Sequence, residues 1–431
     1  MGHFAVYGMY GGVRTHHTPG WGDQEHTVAQ LINTTTGDAT AKFGFRGTDL
    51  GYFAPTNHGY VTSIFGDTFN GARPGSGGWR SPVILRTSNR DLDKGVKWDN
   101  AVGGARAKEA VPYTHQSKAD AMAREGDGFT NIPNDMVHLP DGRWLMSTFA
   151  VRSWDSQGDG SSWLTWANHF WTSTDQHGEN WSHARWSDLN NRPMKFDNNA
   201  GQGWDKFQNC SLVLWDDGYL YMFGTQSGRY KGGGIYLARV KWQDWARLGA
   251  WQFWTWTGSQ WAWKPWSTCK PGKILSTALP GGAIGEINAQ VIDGVVVLAY
   301  ADYSISGGAV VTRTAVHPAN VWTAPQIHAT QLSIPALYAP SIHPYSTLDK
   351  PYAHVSQWNS NIYGCRFYSL DALRKPNQVA QSGRDGDTVE GTNVATECVD
   401  LKRLTPEQLA EVLTSETSIT PEQLLEAIKK A

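Results

Sequence analysis

Five times along this 431-residue chain, a short strand following small or polar residues runs through a Gly- or Asp-containing turn into a second, more apolar strand. The segments are "GTDLGYFAPTNHGYVTSIFGDTF" from Gly47, "IPNDMVHLPDGRWLMSTFAV" from Ile132, "FQNCSLVLWDDGYLYMFGTQ" from Phe207, "GEINAQVIDGVVVLAYAD" from Gly285 and "YAPSIHPYSTLDKPYAHVSQW" from Tyr338. The inner turns "PDG", "DDG" and "IDG" are strong hairpin signals. A recurrence of this kind is the signature of a repeat architecture.

Each unit continues into a third strand rich in β-branched and aromatic residues: "SPVILRTSN", "NHFWTSTD", "GGIYLARV", "AVVTRTAV" and "IYGCRFYSL". A fourth element ends two of them in related turns, "DKGVKW" and "STDQHGENW". The second resembles the Asp-box turn of sialidase-type propellers, with one extra residue; that motif is structural. Five four-stranded units of roughly 50–85 residues describe an all-β fold, a five-bladed β-propeller whose first strands face a central axis. Two β-sandwich domains are the alternative. Composition agrees with short strands and tight turns: 46 residues are Gly and 22 are Trp. Trp at this density packs between sheets or offers flat apolar faces to a sugar ring.

The formal net charge of −2 suggests neither a nucleic-acid nor a membrane-surface partner. No run of 18 or more apolar residues is present to form a transmembrane helix. The N-terminus reads as neither a secretory signal nor a lipidation site. Cys210, Cys269, Cys365 and Cys398 form no Cys-x-x-Cys pair. Free, mostly buried thiols are expected rather than a disulfide framework or a zinc site.

Residues 1–40 read as an N-terminal segment, 41–400 as the propeller and 401–431 as a helical tail. Within "WQFWTWTGSQWAWKPW" (251–266) a turn at "TGSQ" sets Trp256 opposite Trp261 and Trp254 opposite Trp263. That is an aromatic ladder, packed on the next blade or presented as a sugar-stacking wall. The tail repeats the phrase "TPEQL" at Thr405 and Thr420. Each copy has Thr as N-cap, Pro at the first helical position and Gln at N3. Two such short helices must dock on something else.

The first hairpin has the most chemistry to offer. Its strands are Leu50–Pro55 and residues 60–66, with the turn over 56–59. Pairing Pro55 with Tyr60 or Val61 makes paired positions sum to 115 or 116; with 116, Asp49 lies directly opposite Asp67, and cross-strand neighbours share a face. Two carboxylates held together raise one pKa. A raised carboxyl serves as general acid and its ionised neighbour as base or nucleophile, as in glycoside hydrolysis. Structural roles compete: Asp49 as a strand-entry cap, Asp67 as an Asx turn.

Asp135 or Glu286 is a candidate third carboxylate that tunes the pair or binds substrate. Asn209, Asn288 and Tyr338 sit at similar funnel entries. Arg46 and Arg80 are candidates to orient a carboxylate, and Trp79 to stack on a sugar. His58, on the turn, is too far from the carboxylate end to be a base. No Gly-rich phosphate loop, Gly-x-Ser-x-Gly elbow or His-Glu-x-x-His motif occurs. No His cluster has metal-ligand spacing, so no cofactor is expected.

At "GTDLGYFAP", "VTSIFGDTF", "WRSPVILRTSN" and "IPNDMV" the chain resembles the five-bladed propeller endo-D-arabinanases, a family long carried as a domain of unknown function. The resemblance spans roughly residues 40–400 and is strongest in the first blade. It implies cleavage of the D-arabinan of arabinogalactan and lipoarabinomannan in actinobacterial cell walls. The family's paired aspartates match Asp49 in "TDLG" and Asp67 in "GDTF", with inversion the expected outcome. The family also occurs in bacteriophage tail proteins. Together with the N-terminus, this implies a virion tail depolymerase whose partners are cell-wall polysaccharide and, through the C-terminal helices, other tail proteins or sister subunits. A glycan-binding receptor tip or a structural tail component, neither of them catalytic, are the competing expectations.

Overall fold

Strands buried along their whole length need cover on both faces, and Val61–Phe65 and Val83–Thr87 are buried at every position. Sheets stacked around an axis supply that cover without helices. The computed structural model describes residues 29–155, 163–305 and 307–376, and it is a five-bladed β-propeller. The helices expected over 401–431 and Cys398 lie outside these residues. Cys210, Cys269 and Cys365 are free thiols.

Blade 1 is Leu50–Pro55, Val61–Phe65, Val83–Thr87 and Asn100–Ala101. Blade 2 is Asn131–His138, Trp144–Ser153 and Leu164–Ser173, with Ser182–His183 and Lys195–Asp197 outside. Blade 3 is Asn209–Leu214, Tyr219–Thr225 and Gly234–Lys241, edged by Lys273–Ser276 and by the hairpin Gln252–Trp256 and Trp261–Pro265. Blade 4 is Ile284–Ile292, Val295–Asp302, Ala309–Ala315 and Gln326–Thr330. Its inner turn has positive φ at both Asp293 (49°) and Gly294 (77°), as a two-residue hairpin loop demands.

Blade 5 is Leu337–Ile342, Tyr352–Trp358 and Tyr363–Ser369, and its outer strand is Gln30–Thr34. Gln30 pairs with Ser369 and Thr34 with Arg366. The propeller therefore begins inside the segment 1–40 that the sequence reading set ahead of it. Among the described residues no strand after Tyr363–Ser369 covers its edge, and Gln30–Thr34 does so. The five inner strands touch in cyclic order, blade 5 returning to blade 1. That closed ring excludes the two-sandwich alternative.

Apolar clusters fill the seams between neighbouring blades. Phe53, Phe65, Leu85 and Phe367 join blade 5 to blade 1; Ile64, Met136, Trp144 and Trp171 join blade 1 to blade 2. Four large side chains in these seams, Trp144, Trp171, Trp204 and Trp251, are fully buried, so packing accounts for them. The Trp ladder has the expected register, Trp254 opposite Trp263 and Trp256 opposite Trp261. Trp254, Trp261 and Trp263 pack into the seam between blades 3 and 4, and Trp256 stays exposed.

Short polar side chains stitch four of the five inner strands to the next. Asp135 Oδ2 accepts from the Leu212 N–H (2.9 Å), Ser211 Oγ from Ala289 N–H (2.8 Å), Asn288 Oδ1 from Ile342 N–H (3.1 Å) and Ser341 Oγ from Phe53 N–H (3.0 Å). The inner edge of each sheet has no further strand, and its buried amides need these acceptors. In blade 2 the expected Asp-box turn forms: Asp175 accepts from the amides of His177, Glu179 and Asn180 above the buried Trp181.

Candidate active site

Register breaks at the entry to the inner strand in four blades. In blade 1, Tyr52 to Pro55 pair with Ile64 to Val61, but Leu50 pairs with Phe65. Similar shifts fall between Pro133 and Asp135, Ile284 and Ile287, and Tyr338 and Ser341. Leu50 (φ 66°) and Ala339 (φ 46°) are left-handed despite carrying a Cβ. Strained backbone of this kind, paired with bulges, re-aims neighbouring side chains. Here the neighbours are Asp49, Glu286 and Tyr338.

The bulge corrects the expected pairing of the two aspartates. The 116 sum holds for Tyr52–Pro55 and becomes 115 at Leu50. The Asp49 carbonyl accepts from the Gly66 amide (3.1 Å), so Asp49 faces Gly66 rather than Asp67. Both carboxylates still reach one recess, lined also by Leu50, Tyr52, Ile132, Phe149, Trp154, Trp163, Arg229, Glu286 and Tyr338. The two remain partly exposed there.

Their surroundings differ. Asp49 Oδ2 accepts from the Tyr338 hydroxyl (2.8 Å), while Oδ1 is buried without a hydrogen bond. Burial, and then the charge of Asp67, push the Asp49 carboxyl up to about 7; the Tyr338 hydrogen bond and Arg229 oppose them. Asp67 is also raised by burial, but two donors counter it: the Trp79 indole N–H (2.8 Å) and the Thr130 hydroxyl (2.9 Å), both on Oδ1. Across the recess Arg229 donates from Nε (3.1 Å) and Nη2 (2.7 Å) to Glu286 Oε1. Its guanidinium lies 4.7 Å from the Tyr338 ring centroid. One wall is aromatic: Phe149 and Trp163 stack at 4.8 Å, with Trp154 edge-on to Trp163.

Of the residues named from sequence, Asp49, Asp67, Glu286 and Tyr338 line the recess, and Trp79 holds Asp67 from behind. Arg46 lies away from it, paired with Asp38. Arg80 is spent on structure, donating to the Ala107 carbonyl (2.8 Å) and the Gly44 carbonyl (2.9 Å). Asp135 and Asn288 are inner-strand stitches, and Asn209 is buried at the start of its strand; none of the three lines the recess. The sequence reading missed Arg229, Trp154 and Trp163. Arg229 sits in a loop after blade 3's second strand, where nothing local marks it.

Residues 34–369 match the family model described as Domain of unknown function (DUF4185). Notoamide biosynthesis cluster protein J of Aspergillus sp. (strain MF297-2) is 28% identical over 338 residues, covering 74% of this chain and 81% of that protein. An "Uncharacterized 35.9 kDa protein in asd 3'region" of Mycolicibacterium smegmatis is 25% identical over 354 residues, covering 76% of this chain and 92% of that protein. A solved structure, "a putative hydrolase from Bacteroides ovatus ATCC 8483", superposes with a TM-score of 0.50 at 14% identity, over 77% of this chain and 87% of that one. That likeness bears on the fold alone.

Proposed function

The chain belongs to the DUF4185 family, and we propose that it is a glycoside hydrolase with Asp49 as general acid and Asp67 as general base. The carrying observation is the split environment of two carboxylates in one recess. Asp49 has one donor and one buried, unpartnered oxygen, so it keeps a proton near neutral pH. Asp67 has two donors on one oxygen, which favour its ionised form. Environments that push two carboxyls apart sort acid from base.

In the proposed reaction Asp49 gives its proton to the glycosidic oxygen as the bond to the anomeric carbon breaks. Asp67 takes a proton from a water whose oxygen bonds to that carbon from the opposite face. The anomer inverts, and proton exchange with solvent resets the pair. The recess holds three carboxylates against one guanidinium, which favours a neutral sugar over an acidic one. The Phe149, Trp154 and Trp163 wall suits the apolar face of a ring.

For the substrate we take the D-arabinan of actinobacterial cell walls. This rests on the resemblance of "TDLG" and "GDTF" to the endo-D-arabinanase motif. The proposed setting is a phage tail, with residues 401–431 as the docking or self-association element. Incubation with purified arabinogalactan should release oligosaccharides. Asp49→Asn and Asp67→Asn should each lower the rate at least about 100-fold without loss of fold by circular dichroism. No products from the wild type would overturn the enzyme reading, and glycan binding without cleavage would favour a receptor-binding tip. The anomeric configuration of fresh product, read by NMR, tests inversion.

A further inference from the structure

A second, smaller recess shares a wall residue with the first: Trp154 lines both. The short helix Lys118–Ala123 supplies Lys118 and Met122, both exposed. Blade 2 supplies Arg152, and Phe129 lies just before its inner strand. The floor is continuous with the catalytic machinery: the Phe129 ring packs 4.8 Å from Trp79, whose indole N–H holds Asp67. Lys118 and Arg152 edge this surface, together with Ser153 and Asp155. Lys118 Nζ lies 5.8 Å from the Phe129 centroid. Arg152 lies 4.4 Å from the Trp166 centroid and donates to the Met122 carbonyl (3.3 Å), while its Nε–H is buried without a partner.

An aromatic floor edged by flexible donors is what a sugar ring needs: an apolar face to lie on and hydrogen bonds for its hydroxyls. The shared Trp154 places the second recess beside the first, within reach of the same glycan chain.

We propose that this second recess is a further sugar subsite, taking units of the same glycan beyond the bond cut between Asp49 and Asp67. This rests on the glycosidase reading of the first recess. A subsite displaced from the cleavage point makes turnover depend on substrate length and sets the cut away from the chain end on this side.

The test is the double variant Lys118→Ala, Met122→Ala, whose side chains are exposed and outside the catalytic recess. Wild type and variant are compared on a size-graded series of arabinogalactan fragments. Short fragments should be cut with unchanged kcat/KM. Long fragments should lose about tenfold, equivalent to about 1.4 kcal/mol of binding, and the product pattern should shift. Affinity for long fragments, measured by calorimetry in an Asp49→Asn background, should fall in parallel. Wild-type cleavage with the same length dependence in both proteins overturns the subsite alone. Absence of wild-type cleavage and of fragment binding overturns the glycosidase reading and the subsite with it.

Discussion

The Tyr338 hydroxyl of blade 5 donates to Asp49 Oδ2 of blade 1 across the ring seam, at 2.8 Å. This bond favours ionised Asp49, against burial, which favours the proton. Removing it in Tyr338→Phe raises the Asp49 pKa. Because the proposed acid must be protonated to act, the alkaline limb of the kcat/KM profile should move up by about one pH unit. A pH–rate profile over pH 4–10 checks this; a limb that stays in place would remove Asp49 from the acid's role.

Gly66 is the space that Asp49 occupies. A Cβ at position 66 would stand 2.4 Å from Asp49 Oδ1 and 3.1 Å from Leu50 Cδ1. Gly66→Ala should therefore displace the carboxyl and cost at least about tenfold in kcat. The melting temperature should fall by only a few degrees, since the strand pairing beyond Leu50 is untouched. Paired kinetics and thermal melts check the split.

Burial pushes the Asp135 carboxyl up to about 7, against donors from Ser211, Leu212 and Met136. Its folded pKa thus lies above the ordinary value of 3.8. Between those values the folded chain holds more protons than the unfolded one, so stability falls as pH rises from about 4 to about 7. Asp49 adds the same sign. Buried His169, His343 and His354, held neutral with lowered pKa, contribute with the opposite sign, so the test is comparative: relative to the wild type, Asp135→Asn should gain stability on going from pH 5 to pH 8. Scanning calorimetry at both pH values decides it; an unchanged slope would clear Asp135 of the effect.

The ring is closed by Gln30–Thr34 on Tyr363–Ser369. A chain begun at residue 36 leaves that edge unpaired, and a bare strand edge is a template for association. Compared with a chain begun at residue 29, it should melt lower and elute as larger species in size-exclusion chromatography.

How far the residues spoke for themselves is clearest in the first blade. The alternation of apolar runs with turns such as "TNHG" and "PDG", the five recurrences, the Trp254–Trp263 ladder and the Asp175 turn depend on neighbours within one hairpin, and local spacing carries them. Asp49 and Asp67 were legible for the same reason, although the register was one residue off. Strand counting assumes an unbroken ladder, and the left-handed Leu50 and Gly51 break it. Trp79 was legible as a site residue but not in its role: its indole edge, rather than its face, meets Asp67.

The sequence by itself thus determined the blades, their number and the two acids that open the first of them. Only the tertiary structure decided which acid is left with an unpartnered oxygen, that Arg229 and Tyr338 join them from other blades, and that Gln30–Thr34 shuts the ring. Asp49 and Tyr338 are 289 residues apart. They meet because five sheets close on one axis, a condition on the whole ring that no stretch of sequence expresses alone.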